Sequence, residues 1–398
     1  MSRIACFAAI LMTLATAGAA AAQGVEVTAL AAPDAFTTPG RPTGLAPTLW
    51  AGASAETVRT VLPLLAAKPL SPAAAALARR ILATGAPGPE GAGRDPAMAA
   101  TRANALMFQG DPKAAAAVLA HAPGLDRSSD LARAAAETAL LTGDEARACQ
   151  IGDALSVGRD ETYWLKLRTY CQAMAGQTAQ AQLTFDLVQG QVKDPVFTRL
   201  MGAKLVGAGN PGAASLRNGL DYALSHSLGL DLAAAKPSPA VAAALAGDPS
   251  EPTFDALMAS PEFGEIAGQI AGGKPVANGA FVAAATEGGK GGPSVHMQTV
   301  TLLVTSLDAE ASTADLDRLA ASTLPEGKAP LGRNLALEMS ARRKLVGETA
   351  LLALWTCAEA GPSGLAAGDR VRIVRALRAV GLDRDARTFV LEGLASLK

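Results

Sequence analysis

The sequence predicts an all-α protein, and three observations carry that prediction. Its hydrophobic share of 49% is dominated by alanine, while aromatics make up only 4%. Alanine is the strongest helix former and loses no side-chain entropy on ordering. Helix start and stop signals recur along the chain, and no alternating strand pattern is backed by hairpin turns. A glycine-centred turn also returns every 33 residues, at Gly110, Gly143, Gly176 and Gly209.

Residues 1–22 read as a signal peptide. Arg3 supplies the positive start, Ile4 to Leu14 the short apolar stretch, and small residues run through Ala22, with Gln23 as the first mature residue. The apolar stretch is too short for a stable membrane-spanning helix, and no other segment is apolar enough to make a transmembrane anchor. Residues 23–48, rich in Pro, Thr and Gly, read as a flexible leader. Residues 49–95 hold two alanine-rich helices, about 54–67 and 71–84, and a linker. Ser71-Pro72 marks the second helix start.

The region 96–235 carries the recurrent turn. Asp or Asn follows three of the four glycines, at Asp111, Asp144 and Asn210, with Gln177 in the remaining case. Glycine suits the left-handed helix end, and Asp or Asn starts the next helix. Small or modest residues flank each turn. They are Ala115, Ala148, Ala181 and Ala214 after it, and Ala103, Ala136, Thr169 and Gly202 before it. Such residues let paired helices approach closely.

This pattern resembles tetratricopeptide repeats over about 96–227, with FQGD (108–111) and LTGD (141–144) as the turns. It departs from them in its period, one residue short, and in lacking the closing proline and most large aromatics. The resemblance implies a stack of helix–turn–helix units, an α-solenoid. Residues 236–293 break into short pieces around KPSP, GGKP and GGKGGP, an irregular connector. Short helices are expected there at 239–246, 252–259, 261–271 and 277–285. Helical hairpins resume over 294–398, with a turn signal at Gly347 and again at Gly381.

Chemistry is harder to find. The net charge of −1 shows no basic excess, which argues against nucleic acid as a partner. The three histidines, His121, His226 and His296, are far apart and lack a ligand one helical turn away. No metal, cofactor or catalytic motif is expected. GQIAGGKP (268–275) imitates a phosphate loop but has Pro275 where the hydroxyl residue belongs. Three cysteines remain after signal-peptide removal. Cys149 and Cys171 lie on facing helices of adjacent units, on either side of a turn near Gly158, and are expected to form a disulfide. Cys357 is expected to be a buried thiol.

The tetratricopeptide likeness also implies a binding face made by the first helix of each unit. Position by position it offers Asn104, Phe108, Arg133, Glu137, Tyr163, Lys166, Tyr170 and Arg199, a mixture suited to an extended peptide or another envelope protein. The expected role is that of a non-enzymatic periplasmic or secreted adaptor. Two alternatives stand beside it: a self-associating, homo-oligomeric structural protein of the envelope, and an envelope enzyme acting on peptidoglycan.

Overall fold

The computed structural model describes residues 34–207, 210–247, 251–274, 276, 295–307, 313–320 and 322–397. Among these residues there are α-helices, one short tight turn of helix at Leu125–Arg127, and no strand. The signal-peptide assignment, the 277–285 helix and Gly209 lie outside the described residues.

Two helices open the fold, α1 (Ala55–Leu65) and α2 (Pro72–Ala83). Seven follow, pairing as hairpins until the last stands alone: α3 (Pro96–Phe108), α4 (Pro112–Ala120), α5 (Ser129–Leu141), α6 (Glu145–Ala154), α7 (Thr162–Met174), α8 (Thr178–Gln191) and α9 (Pro195–Val206). The three described recurrent turns share one geometry. Gly110, Gly143 and Gly176 have φ near +80°, +80° and +73°. The next residue donates back into the preceding helix, Asp111 to Leu106 and Asp144 to Ala139, at 2.9 and 2.8 Å. The Asp111 and Asp144 side chains then cap the following helix, accepting from Ala114 at 3.1 Å and Arg147 at 3.0 Å.

The fourth unit departs from the pattern. Residues 210–218 form no second helix, because Gly212 takes φ +66° immediately after Pro211. The chain instead turns back through α10 (Gly219–Ser227) and α11 (Pro239–Leu245). Two further short helices, α12 (Asp255–Met258) and α13 (Gly264–Ala271), lie in the predicted connector. The last six are α14 (Val295–Thr305), α15 (Thr313–Ala320), α16 (Leu331–Arg342), α17 (Val346–Ala360), α18 (Ala367–Ala379) and α19 (Asp383–Ala395).

The two helical regions dock through the N-terminal hairpin. α1 packs on both α3 and α17, and α2 packs on α3, α17 and α19. One core runs from Phe36 to Leu394 without a break. Gly347 sits at this junction, inside α17 and not in a turn. A Cβ there would meet the Leu49 carbonyl at 2.6 Å and the Trp50 ring at 2.7 Å. The turn before α17 is made by Lys344, with φ +59°, whereas Gly381 does form its predicted turn at φ +80°.

Over its described part the predicted flexible leader is corrected. Phe36 is fully buried and meets Trp50 edge-on, with ring centroids 5.7 Å apart. Arg102, also fully buried, donates to the carbonyls of Ala35 and Leu82 at 2.8 Å, Thr84 at 3.0 Å and Thr38 at 3.2 Å. Burial pushes its pKa down to about 10, against the opposing pull of Asp34. Pro, Thr and Gly here make a fixed irregular strap, not a loose one.

Candidate functional site

The first helices α3, α5, α7 and α9 carry the residues singled out from sequence. α10 packs on α5 and α9, and α11 on α3 and α5. The predicted face is therefore occupied over much of its length by the chain's own residues 213–246.

At the α9 end, Arg199 donates through Nη2 to the Ala213 carbonyl at 2.8 Å. Lys166 pairs with Asp194 at 2.7 Å, and its Nζ lies 5.5 Å from the centre of the Phe197 ring. Asp194 caps α9 by accepting from Val196 and Phe197, both at 3.2 Å, and also binds Arg217 of the returning segment at 3.1 Å. Partial burial opposes ionisation of Asp194. Lys166, the Phe197 N–H and Arg217 outweigh it and bring the pKa to about 2. Arg217 continues the ladder to Asp221 at 2.5 Å, and Asp221 accepts from the Ser215 hydroxyl at 2.7 Å.

In the middle of the face, Glu137 accepts from the Gly219 N–H at 2.5 Å, at the start of α10. Its pKa is raised by burial, against the lowering effects of the Gly219 N–H, Tyr163 and Arg133. The Tyr163 hydroxyl lies beside this carboxylate without a hydrogen bond of good geometry, so proximity couples the two. Burial, then Glu137, pushes the Tyr163 hydroxyl well up. Arg133 is exposed and lays its guanidinium 4.7 Å over the centre of the Tyr163 ring. At the α3 end, Asn104 is exposed. Phe108 is half-buried and lines a cleft of about 380 Å³ shared with Pro69, Arg79, Pro239 and Ala243.

Tyr170 requires a correction. It is fully buried, belongs to the core, and is unavailable to a partner. Its hydroxyl faces Glu145 without a well-formed bond, and burial followed by Glu145 pushes its pKa up. Sequence reading missed Asp194 and Arg217, which with Lys166 hold the face together. Asp194-Pro195 is a legible helix start, but its second role depends on a partner 23 positions away.

Cys149 of α6 and Cys171 of α7 are joined, with Sγ atoms 1.99 Å and Cα atoms 5.7 Å apart. Cys357 is a buried free thiol whose pKa is raised by burial. Among the described residues no group of three His, Cys, Asp or Glu could hold a metal ion. His121 ends α4, His226 stacks on Tyr222, and His296 pairs with Glu262 at 3.2 Å. Over its described part, 268–274, the phosphate-loop imitation is the C-terminal turn of α13, where Lys274 donates to the Gln269 carbonyl at 2.9 Å. No helix among the described residues is long and apolar enough to cross a membrane.

Fold and site together define an all-helical protein with a disulfide between neighbouring hairpins. Compared with protein-family models, curated proteins and solved structures, the chain gives no match in any of the three.

Proposed function

We propose that the protein is a non-enzymatic adaptor of the bacterial cell envelope, exported by its signal peptide. In this reading, tetratricopeptide-like hairpins form an α-solenoid whose first-helix face takes a peptide segment of another envelope protein. One observation carries the reading. That face already holds a stretch of polypeptide through side-chain bonds to its main chain, Arg199 to the Ala213 carbonyl and Glu137 to the Gly219 N–H. Main-chain recognition of this kind suits a peptide-binding surface. The Cys149–Cys171 bond fits an oxidising compartment outside the cytoplasm.

In-cell crosslinking of the tagged protein, followed by mass spectrometry, tests the proposal. One dominant envelope partner, lost on joint replacement of Lys166 and Arg199 by alanine, is the expected result. Recovery of the protein alone would refute it.

An apolar stripe on α16 favours a second reading, self-association. Leu331, Leu335 and Met339 follow one another at single helical turns and are 79%, 55% and 52% exposed. Sedimentation over a hundredfold range of concentration separates this reading from the first.

A further inference from the structure

We infer that residues 213–227 are a resident pseudo-ligand of the first-helix face, and that they must leave before a partner peptide can take their place. This rests on the adaptor reading above. The segment follows a path suited to a ligand, running from α9 back onto α5. Two of its anchors are main-chain groups, the Ala213 carbonyl and the Gly219 N–H. Any segment of similar shape can offer the same two groups.

The segment is also built to come away as a unit. α10 has nine residues, too few to persist alone in water. Glycines with left-handed backbone bracket it, Gly212 at φ +66° and Gly229 at φ +65°. Such positions tolerate large backbone changes at low cost. The fit beneath is incomplete. Arg199 Nη1 is buried there without a formed hydrogen bond, and the Tyr163 hydroxyl and Glu137 Oε1, also buried, lie side by side in poor hydrogen-bond geometry. A buried polar atom left unbonded is costly, so a competitor that satisfies these groups gains over the resident segment.

The resident residues define the chemistry of that competitor. It is a peptide with a basic residue just ahead of a short helical turn, as Arg217 precedes Gly219. That turn carries two leucines one helical turn apart, as Leu220 and Leu224 are, both buried in the core. The basic residue pairs with Asp194, and the first N–H of the turn meets Glu137.

Amide hydrogen exchange on the full-length protein tests the inference. The α10 amides should exchange through a partial opening at least about tenfold faster than those of α5. Arg217→Ala should accelerate α10 by about a further tenfold, the effect of losing a partly exposed ion-pair network, and leave α1 and α3 unchanged. Arg217 is 47% exposed at its side chain, so the variant should fold. A partner identified by crosslinking should bind the purified variant about tenfold more tightly than the purified wild type. If α10 and α5 exchange together in the wild type, the segment is a fixed part of the core and the inference fails. If a partner binds both proteins equally, the adaptor reading survives and the pseudo-ligand does not. If no partner is recovered with either protein, the adaptor reading fails and the inference falls with it.

Discussion

Glu392, in the last helix, caps the helix that Ser71 begins. Its carboxylate accepts from the Ser71 hydroxyl at 2.9 Å and from the Ala73 N–H at 2.8 Å, across more than 300 positions of sequence. The Ser71 side chain makes no capping bond of its own to α2. The same carboxylate binds Arg370 at 2.8 Å, which is only 3% exposed. Glu348 holds the start of α1, accepting from the Ser54 N–H at 2.9 Å and the Thr57 hydroxyl at 2.7 Å, while the Ser54 side chain itself caps that helix by accepting from the Glu56 and Thr57 N–H groups. Arg80 pairs with Asp385 alongside. Two carboxylates of the C-terminal hairpins thus anchor helix starts at the junction, and Glu392 satisfies an α2 N–H that would otherwise be orphaned.

Glu392→Ala should therefore destabilise the whole protein. It removes a cap and strands a buried guanidinium, a loss of roughly 3–4 kcal/mol. Glu348→Ala, which leaves the Ser54 cap of α1 in place, should cost about 1 kcal/mol through its two lost hydrogen bonds. Urea unfolding followed by circular dichroism measures both. Equal effects would show that Arg370 contributes nothing through Glu392.

The N-terminal strap yields a separate prediction. Arg102→Ala leaves four carbonyls without their shared donor, and several unsatisfied groups together should cost more than about 3 kcal/mol. Freed from Arg102, the strap should expose Phe36, which in the intact protein is fully buried. Brief chymotrypsin treatment read by mass spectrometry should find cleavage after Phe36 in the variant well before it in the wild type. Simultaneous cleavage would mean that Phe36 and Trp50 hold the strap without the arginine.

The disulfide closes a short loop, with its cysteines 22 positions apart. Reduction, or Cys171→Ser, should cost roughly 3 kcal/mol through the greater freedom of the unfolded chain and of partly opened states in which α6 and α7 separate. α6 and α7 should gain exchange before α1 or α19 does. Hydrogen exchange with and without a reductant checks this. A uniform gain along the chain would place the effect in the unfolded state alone.

Much of the helix pattern was legible in the sequence because it rests on local chemistry. Ser54, Ser71 and Asp95 stand where the helices begin, and Gly110, Gly143 and Gly176 where they end. The cysteine pair was legible for the same reason, since two hairpin helices and one turn decide it. The junction was not legible, because nothing near Glu348 or Glu392 distinguishes them from solvent-facing acids on a helix. Phe36 was hidden in a composition that usually stays loose, and its order depends on Arg102, 66 positions away. The residues assigned to the predicted face lie on α3, α5, α7 and α9, and their coverage by the returning segment depends on a chain reversal at Pro211-Gly212 that a repeat pattern does not anticipate. Tyr170 was misread because an aromatic on a first helix serves a core or a groove with equal ease.

The face should also show two opposite responses to pH. Asp194 has a folded-state pKa of about 2, below the unfolded value of about 3.9. The folded state holds its proton less tightly, so Asp194 contributes stability above pH 4 that is lost as pH falls towards 2. Asp194→Asn should therefore cost roughly 1 kcal/mol at pH 7, after allowing for solvent screening, and almost nothing near pH 2. Glu137 runs the other way. Its folded-state pKa is raised, chiefly by burial, so the folded state binds the proton more tightly than the unfolded chain does. The carboxylate is a burden above its folded value, and that burden lifts as pH falls through it. Glu137→Gln keeps an acceptor for the Gly219 N–H and removes the charge. The variant should be at least as stable as the wild type at pH 8, with any advantage narrowing as the solution is acidified. Thermal unfolding of both variants and the wild type between pH 2 and pH 8 measures the two slopes. A Glu137→Gln variant that is less stable at pH 8 and level with the wild type in acid would show that the ionised carboxylate holds α10 in place despite its burial.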